Sequence, residues 1–225
     1  MAITHFALTA RTQTGTQVAQ RAVQYLLRQG PYAPTPDVVA QRDRGARIRD
    51  TAVPRHRDDL VWQQIGNLPV WAQGNAVRFF AAAVAYERTN GRWGMALQAA
   101  LPRELTRAQQ IALTQNFIQA HLPDKPYLVV MHEPRTATGE QQQHIHVLFS
   151  ERQLDGIART ARQFFKRANR DHPERGGAAK DLFWHERRCP GRLRQAWVDL
   201  SSHDLRQSRR LDWDPLKGGH KPGAA

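Results

Sequence analysis

Ile3-Thr4-His5-Phe6-Ala7-Leu8 alternates apolar and polar positions, which predicts a short strand with one face buried. After a polar turn, apolar residues recur at helical spacing from Gln17 to Arg28, and Gly30-Pro31 stops that helix. Residues 31–60 are rich in Pro, Asp and Arg with no sustained period, and predict loops and short helices. Ala76 to Arg88 reads as a second helix closed by Asn90-Gly91, and Trp93 to Leu101 as a strand closed by Pro102. Thr106 is placed to N-cap a third helix reaching Ala120. Tyr127 to Met131 and His144 to Phe149 are apolar strands whose connection has no helical pattern, so they predict an antiparallel pair. Thr160 to Asn169 and Arg192 to Gln207 read as later helices. Together these elements predict an α+β domain over residues 1–210, an antiparallel sheet with helices packed mainly on one face. Residues 211–225, Gly- and Pro-rich at their end, predict a flexible tail.

Composition adds a partner class. The 225 residues carry 33 Lys and Arg against 20 Asp and Glu, a formal charge of +13 that points to a polyanion, nucleic acid before acidic membrane. No apolar run approaches the roughly 20 residues that span a bilayer. The first 15 residues lack the basic and apolar regions of a signal peptide, so a cytoplasmic protein with no membrane partner is expected. Cys189 is the lone cysteine, which excludes an internal disulfide framework and a cysteine-based zinc cluster. The basic excess is densest late in the chain: residues 151–225 hold 17 Lys and Arg against 10 Asp and Glu. Lys166, Arg167, Arg170, Arg175 and Lys180 are the candidate phosphate contacts, with Phe165 as a candidate stacking surface; a solvated helix and basic loop fit the same pattern. The glycines of Glu174-Arg175-Gly176-Gly177 would let backbone approach DNA closely, or serve a simple turn.

Two residues apart on a strand, His144 and His146 face one side while Ile145, Val147 and Phe149 face the other. Strand pairing would bring His132 alongside them. Three neutral imidazoles leave positions on a divalent ion open to water or a phosphate oxygen, with affinity expected to fall as they protonate below about pH 6.5. Spacing alone is equally compatible with two ordinary exposed histidines. Tyr25 sits at the edge of the first helix's apolar stripe, where packing and a nucleophile's role are both open.

The ordered series of short motifs resembles the MobA/MobL-type plasmid mobilisation relaxases of the His-hydrophobe-His endonuclease superfamily. It runs from Met1-Ala2-Ile3, His5 and Tyr25 through Tyr86-Glu87-Arg88-Thr89-Asn90-Gly91-Arg92 and Ala100-Leu101-Pro102-Arg103-Glu104-Leu105-Thr106. His132, His144-Ile145-His146, Ser150-Glu151-Arg152, Asp155-Gly156-Ile157, Phe165-Lys166-Arg167 and Glu174-Arg175-Gly176-Gly177-Ala178 complete it. The resemblance implies a relaxase-like α+β fold. It also implies a cytoplasmic enzyme that nicks one strand at a transfer origin through a 5′-phosphotyrosine and reseals it after transfer. Tyr25 then corresponds to the nucleophile, and His132, His144 and His146 to the ligands of a divalent ion, Mn²⁺ or Mg²⁺. Single-stranded DNA, accessory relaxosome proteins and a coupling protein are the implied partners. Relatives carry a glutamate before the Ala-Leu-Pro motif where this chain has Gln98, so Gln98, Glu133 or Glu140 is left for any auxiliary role. A rolling-circle replication initiator or a non-catalytic DNA-binding relative are the alternatives; DNA cleavage and the identity of the origin discriminate them.

Overall fold

The computed structural model describes residues 5–12, 16–33, 58–134 and 142–211. Its centre is a five-stranded, wholly antiparallel sheet of β1 (Phe6–Arg11), β2 (Leu60–Gly66), β3 (Gly94–Ala100), β4 (Tyr127–His132) and β5 (His144–Phe149), in the order β1-β3-β5-β4-β2. The most apolar strands, β4 and β5, lie inside, and the polar-edged β1 and β2 lie outside. Helices α1 (Thr16–Leu27), α2 (Ala76–Tyr86), α3 (Arg107–His121), α4 (Ala161–Phe164) and α5 (Cys189–Leu211) surround it. The expected α+β class and antiparallel sheet are present; the tail from 212 on lies outside the described residues.

The layering is fuller than expected, with helices on both faces. Met95, Leu97, Val129, Ile145, Val147 and Phe149 point to one side and pack against Leu113 and Phe117 of α3 and Leu193 and Trp197 of α5. The alternate positions Leu128, Val130 and Leu148 point to the other side and pack against Val23 and Leu27 of α1 and Phe79, Phe80 and Ala83 of α2. The reason lies in the pleat: β4 is buried along its whole length, so both of its side-chain rows need a cover. Thr106 caps α3 as expected, accepting from the Gln109 amide while the Gln109 side chain accepts from the Thr106 amide.

One predicted helix is much shorter than its pattern. Residues 160–169 form a helix only over Ala161–Phe164. The carbonyls of Phe165 and Lys166 accept from the Arg152 guanidinium, and the carbonyl of Arg167 accepts from the Gly177 amide. Those oxygens are taken by tertiary partners, so no further helical turn closes on them. A Cβ at Gly177 would lie 2.1 Å from the Lys166 carbonyl oxygen. The close approach these glycines permit is therefore to the chain's own backbone.

Candidate active site

On the α1–α2 face, each inner strand changes character along its length. Leu148 of β5 and Leu128 and Val130 of β4 are buried under helices, while His146, His144 and His132 continue the same rows toward the sheet's open end. The register sets His132 opposite His144 and Val130 opposite His146. The ring centroids lie 4.9 Å apart for His144 and His146, 5.3 Å for His132 and His146, and 5.8 Å for His132 and His144. One nitrogen from each ring falls within 4.8 Å of the others, the only such group of three among the described residues. The expected antiparallel pairing therefore brings all three histidines together, with His132 as the last residue of β4 rather than beyond it.

Hydrogen bonds orient two of the rings. The His144 Nδ1 lies 3.0 Å from the Gln142 carbonyl oxygen, and the His132 Nε2 lies 2.9 Å from that of Leu26. A carbonyl only accepts, so each of these nitrogens carries the proton, leaving His144 Nε2 and His132 Nδ1 with lone pairs. His144 Nε2 and His146 Nε2 are 3.1 Å apart. Two nitrogens bound side by side to one ion at about 2.1 Å would be roughly 3.0–3.4 Å apart. Carbonyl-oriented imidazoles with inward lone pairs are the arrangement a divalent ion requires. His132 Nδ1 also lies 3.4 Å from Arg28 Nη2, a long contact. Burial first, and then the neighbouring Arg28, lowers the pKa of His132 to about 4. Burial, then His144 and His132, lowers that of His146 to about 3. Burial also lowers that of His144, against the Gln142 hydrogen bond. All three are held in the neutral form that binds metal.

Tyr25 is half-buried in the last turn of α1, one residue before the Leu26 carbonyl that receives His132. Its ring meets Tyr32 edge-on at 5.5 Å and lies 4.5 Å beneath the Arg28 guanidinium carbon. Gln98 is the cross-strand neighbour of His146 and shares its face. Glu133 is not brought to the histidines. It follows His132, so the pleat sends it to the opposite face, where its carboxylate is bound by Arg107 of α3 and by Gln143 at 2.7 Å. Glu140 lies outside the described residues.

The basic candidates separate. Lys166, Arg167, Arg170 and Arg175 are exposed, Arg175 standing 3.6 Å from Glu174. Lys180 differs from expectation. Its ammonium donates to the Arg92 carbonyl at 2.7 Å and lies 3.3 Å from Glu87 and 3.7 Å from Glu151, so its charge is engaged inside the fold. Phe165 is buried with Trp71, Phe79 and Phe164 and offers no stacking surface. Two residues of the site carried no flag in the sequence: Arg28, and Asp59 just before β2. The available signal was a cation three residues after Tyr25, directly before Gln29-Gly30-Pro31.

The chain matches the MobA/MobL family over residues 49–213, well over half its length. It belongs to that family. The match to this MobA/MobL chain includes the 43 kDa relaxation protein of Salmonella typhimurium, 33% identical over 196 residues, 81% of this chain and 49% of that protein. Mobilization protein A of Escherichia coli is 33% identical over 211 residues, 92% of this chain and 26% of that protein. The chain thus spans about half of one curated relative and about a quarter of the other. A solved structure from work on the molecular basis of vancomycin resistance transfer in Staphylococcus aureus superposes with a TM-score of 0.57 over 92% of this chain and 94% of that one. At 14% identity that likeness concerns the fold.

Proposed function

We propose that the chain is the nicking and strand-joining domain of a plasmid mobilisation relaxase. The observation that carries this reading is the three-histidine cluster hydrogen-bonded to the turn of α1 that bears Tyr25. Membership of the MobA/MobL family and likeness to relaxation and mobilization proteins support it. Tyr25 is the nucleophile: its phenolic oxygen forms a bond to the scissile phosphorus as the bond to the 3′-oxygen breaks. The phenolic proton is lost and the departing oxygen leaves as a 3′-hydroxyl. His132, His144 and His146 would hold a divalent ion, Mn²⁺ or Mg²⁺, which supplies positive charge against the phosphate oxygens. The phosphotyrosine keeps the energy of the broken bond, so a free 3′-hydroxyl can reseal the strand without ATP. Gln98, the cross-strand neighbour of His146, would hydrogen-bond a phosphate oxygen or water. Exposed Lys166, Arg167, Arg170 and Arg175 bind the DNA backbone.

The substrate is single-stranded DNA at a transfer origin, exposed by accessory relaxosome proteins and handed to a coupling protein in the cytoplasm. The test is incubation of the wild type and Tyr25→Phe with a pool of single-stranded oligonucleotides and Mn²⁺, followed by denaturing electrophoresis. An SDS-resistant adduct on a 5′ end is expected with the wild type and none with the variant. An adduct that persists in Tyr25→Phe moves the nucleophile elsewhere, Tyr32 being the nearest candidate.

A further inference from the structure

We infer that Arg28 and Asp59 form a positioning pair that holds the Tyr25 turn of α1 against His132. This rests on the reading of Tyr25 as nucleophile. Arg28 Nε lies 2.7 Å from Asp59 Oδ1 and Nη2 lies 3.1 Å from Oδ2, a forked ion pair in which both side chains are almost fully buried. The same guanidinium donates through Nη1 to the Tyr25 carbonyl at 2.6 Å and covers the Tyr25 ring. Its Nη2 also faces His132 Nδ1. One side chain therefore touches the backbone and ring of the nucleophile, one histidine and a carboxylate 31 residues away.

The backbone is arranged to permit this. Arg28 has φ +52°, the left-handed conformation that ends helices and that glycine adopts most freely. The amide of Gln29 closes the helix end onto the Gln24 carbonyl at 2.9 Å. A glycine would make that turn with less strain but would supply none of these side-chain contacts. Asp59 in turn is fixed to the His132 strand, since its carbonyl accepts from the Glu133 amide at 2.7 Å. The chain Tyr25–Arg28–Asp59–Glu133–His132 closes a loop of contacts that ties the Tyr25 turn of α1 to the strand end bearing His132. A reacting group displaced by about 1 Å loses about 100-fold in rate. A rigid tie between the two partners is what prevents such a displacement.

The test uses the double variant Arg28→Gly, Asp59→Asn, which removes both buried charges together and places glycine at the left-handed position. Adduct formation is followed with the oligonucleotide pool and Mn²⁺, and Mn²⁺ affinity by calorimetry. Exchange of the His132 Nε2 proton is followed by ¹⁵N NMR in the metal-free protein. The expected result is an adduct rate at saturating DNA at least about tenfold lower, with half-saturating DNA and Mn²⁺ affinity within about threefold of wild type. The His132 proton should exchange at least about tenfold faster, because the Leu26 carbonyl is no longer held against it. Wild-type adduct rate and wild-type exchange would overturn the inference, as would a loss of Mn²⁺ affinity equal to the loss of rate. Arg28→Lys, which keeps a charge but not the fork, decides by the same measurements if the double variant does not fold. The two readings fail separately: an adduct retained by Tyr25→Phe sinks the nucleophile, whereas the NMR exchange tests the tie without any catalysis.

Discussion

On the proposed function, protons and a metal ion would compete for the same lone pairs at His132 and His146, so the pH at which they exchange places follows from burial. An ordinary histidine takes a proton near pH 6.5, but these two are lowered to about 4 and about 3. His144 is lowered as well, so Mn²⁺ affinity measured by calorimetry should fall only below the ordinary pH of about 6.5, with the lone pairs of His132 and His146 lost as pH approaches about 4 and about 3. A fall centred near pH 6.5 would mean that the cluster is solvated. Linkage to folding has the same origin. Between about pH 6.5 and 4 the unfolded chain binds a proton at His132 that the folded chain refuses, so stability declines as pH falls through that window. Above it both states are neutral and the group contributes no slope. His144 and His146 were legible in the sequence because strand alternation alone puts them on one face. Their depressed basicity was not, because it comes from helices packed on the same face. Arg28 and Asp59 were illegible for a similar reason: a pair 31 residues apart leaves no local period.

Elements with a strong internal signal are where the sequence predicted them. The histidine strand ends at its predicted boundaries, and α3 begins at its Thr106 cap. Where tertiary partners decide, the pattern misled. β2 carries Gln63 and Gln64 on an edge of the sheet, with Gln64 donating to the Tyr127 hydroxyl at 2.8 Å, and its weak alternation did not mark it as a strand. The helix at 161 stops because Arg152, itself paired with Glu87 at 2.6 Å, gathers the carbonyls of the next residues. That arrangement leaves no room at Gly177, whose added Cβ would strike the Lys166 carbonyl. Gly177→Ala should destabilise the fold by about 1–3 kcal/mol through overpacking. In a thermal melt that is a fall in Tm of roughly 2–12 °C for a domain of this size. An unchanged melting temperature would show that the loop relaxes away from residue 177. The loss of the cap in Thr106→Ala, by comparison, should cost about 1 kcal/mol.

At the scale of the whole molecule, a net charge of +13 predicts affinity for a polyanion but not where it binds. The structure sorts the late basic residues by what already holds them. Lys180 lies between Glu87 and Glu151, its head group engaged, whereas Lys166 and Arg167 are exposed on the segment that Arg152 fixes. Each phosphate contact on a single strand contributes about 0.7 to the slope of log K against log salt. Replacing Lys166 and Arg167 with alanine should therefore flatten that slope by about 1.4 for a single-stranded oligonucleotide, whatever its sequence. Lys180→Gln should act differently. It leaves Glu87 and Glu151 with one cation fewer in a buried network, so it should lower the melting temperature while leaving the salt slope unchanged. Fluorescence anisotropy titrations over a range of salt, with a melt of each variant, separate the two roles. A slope that drops for Lys180→Gln and holds for the Lys166 and Arg167 pair would reverse the assignment and place the DNA on the other side of that network.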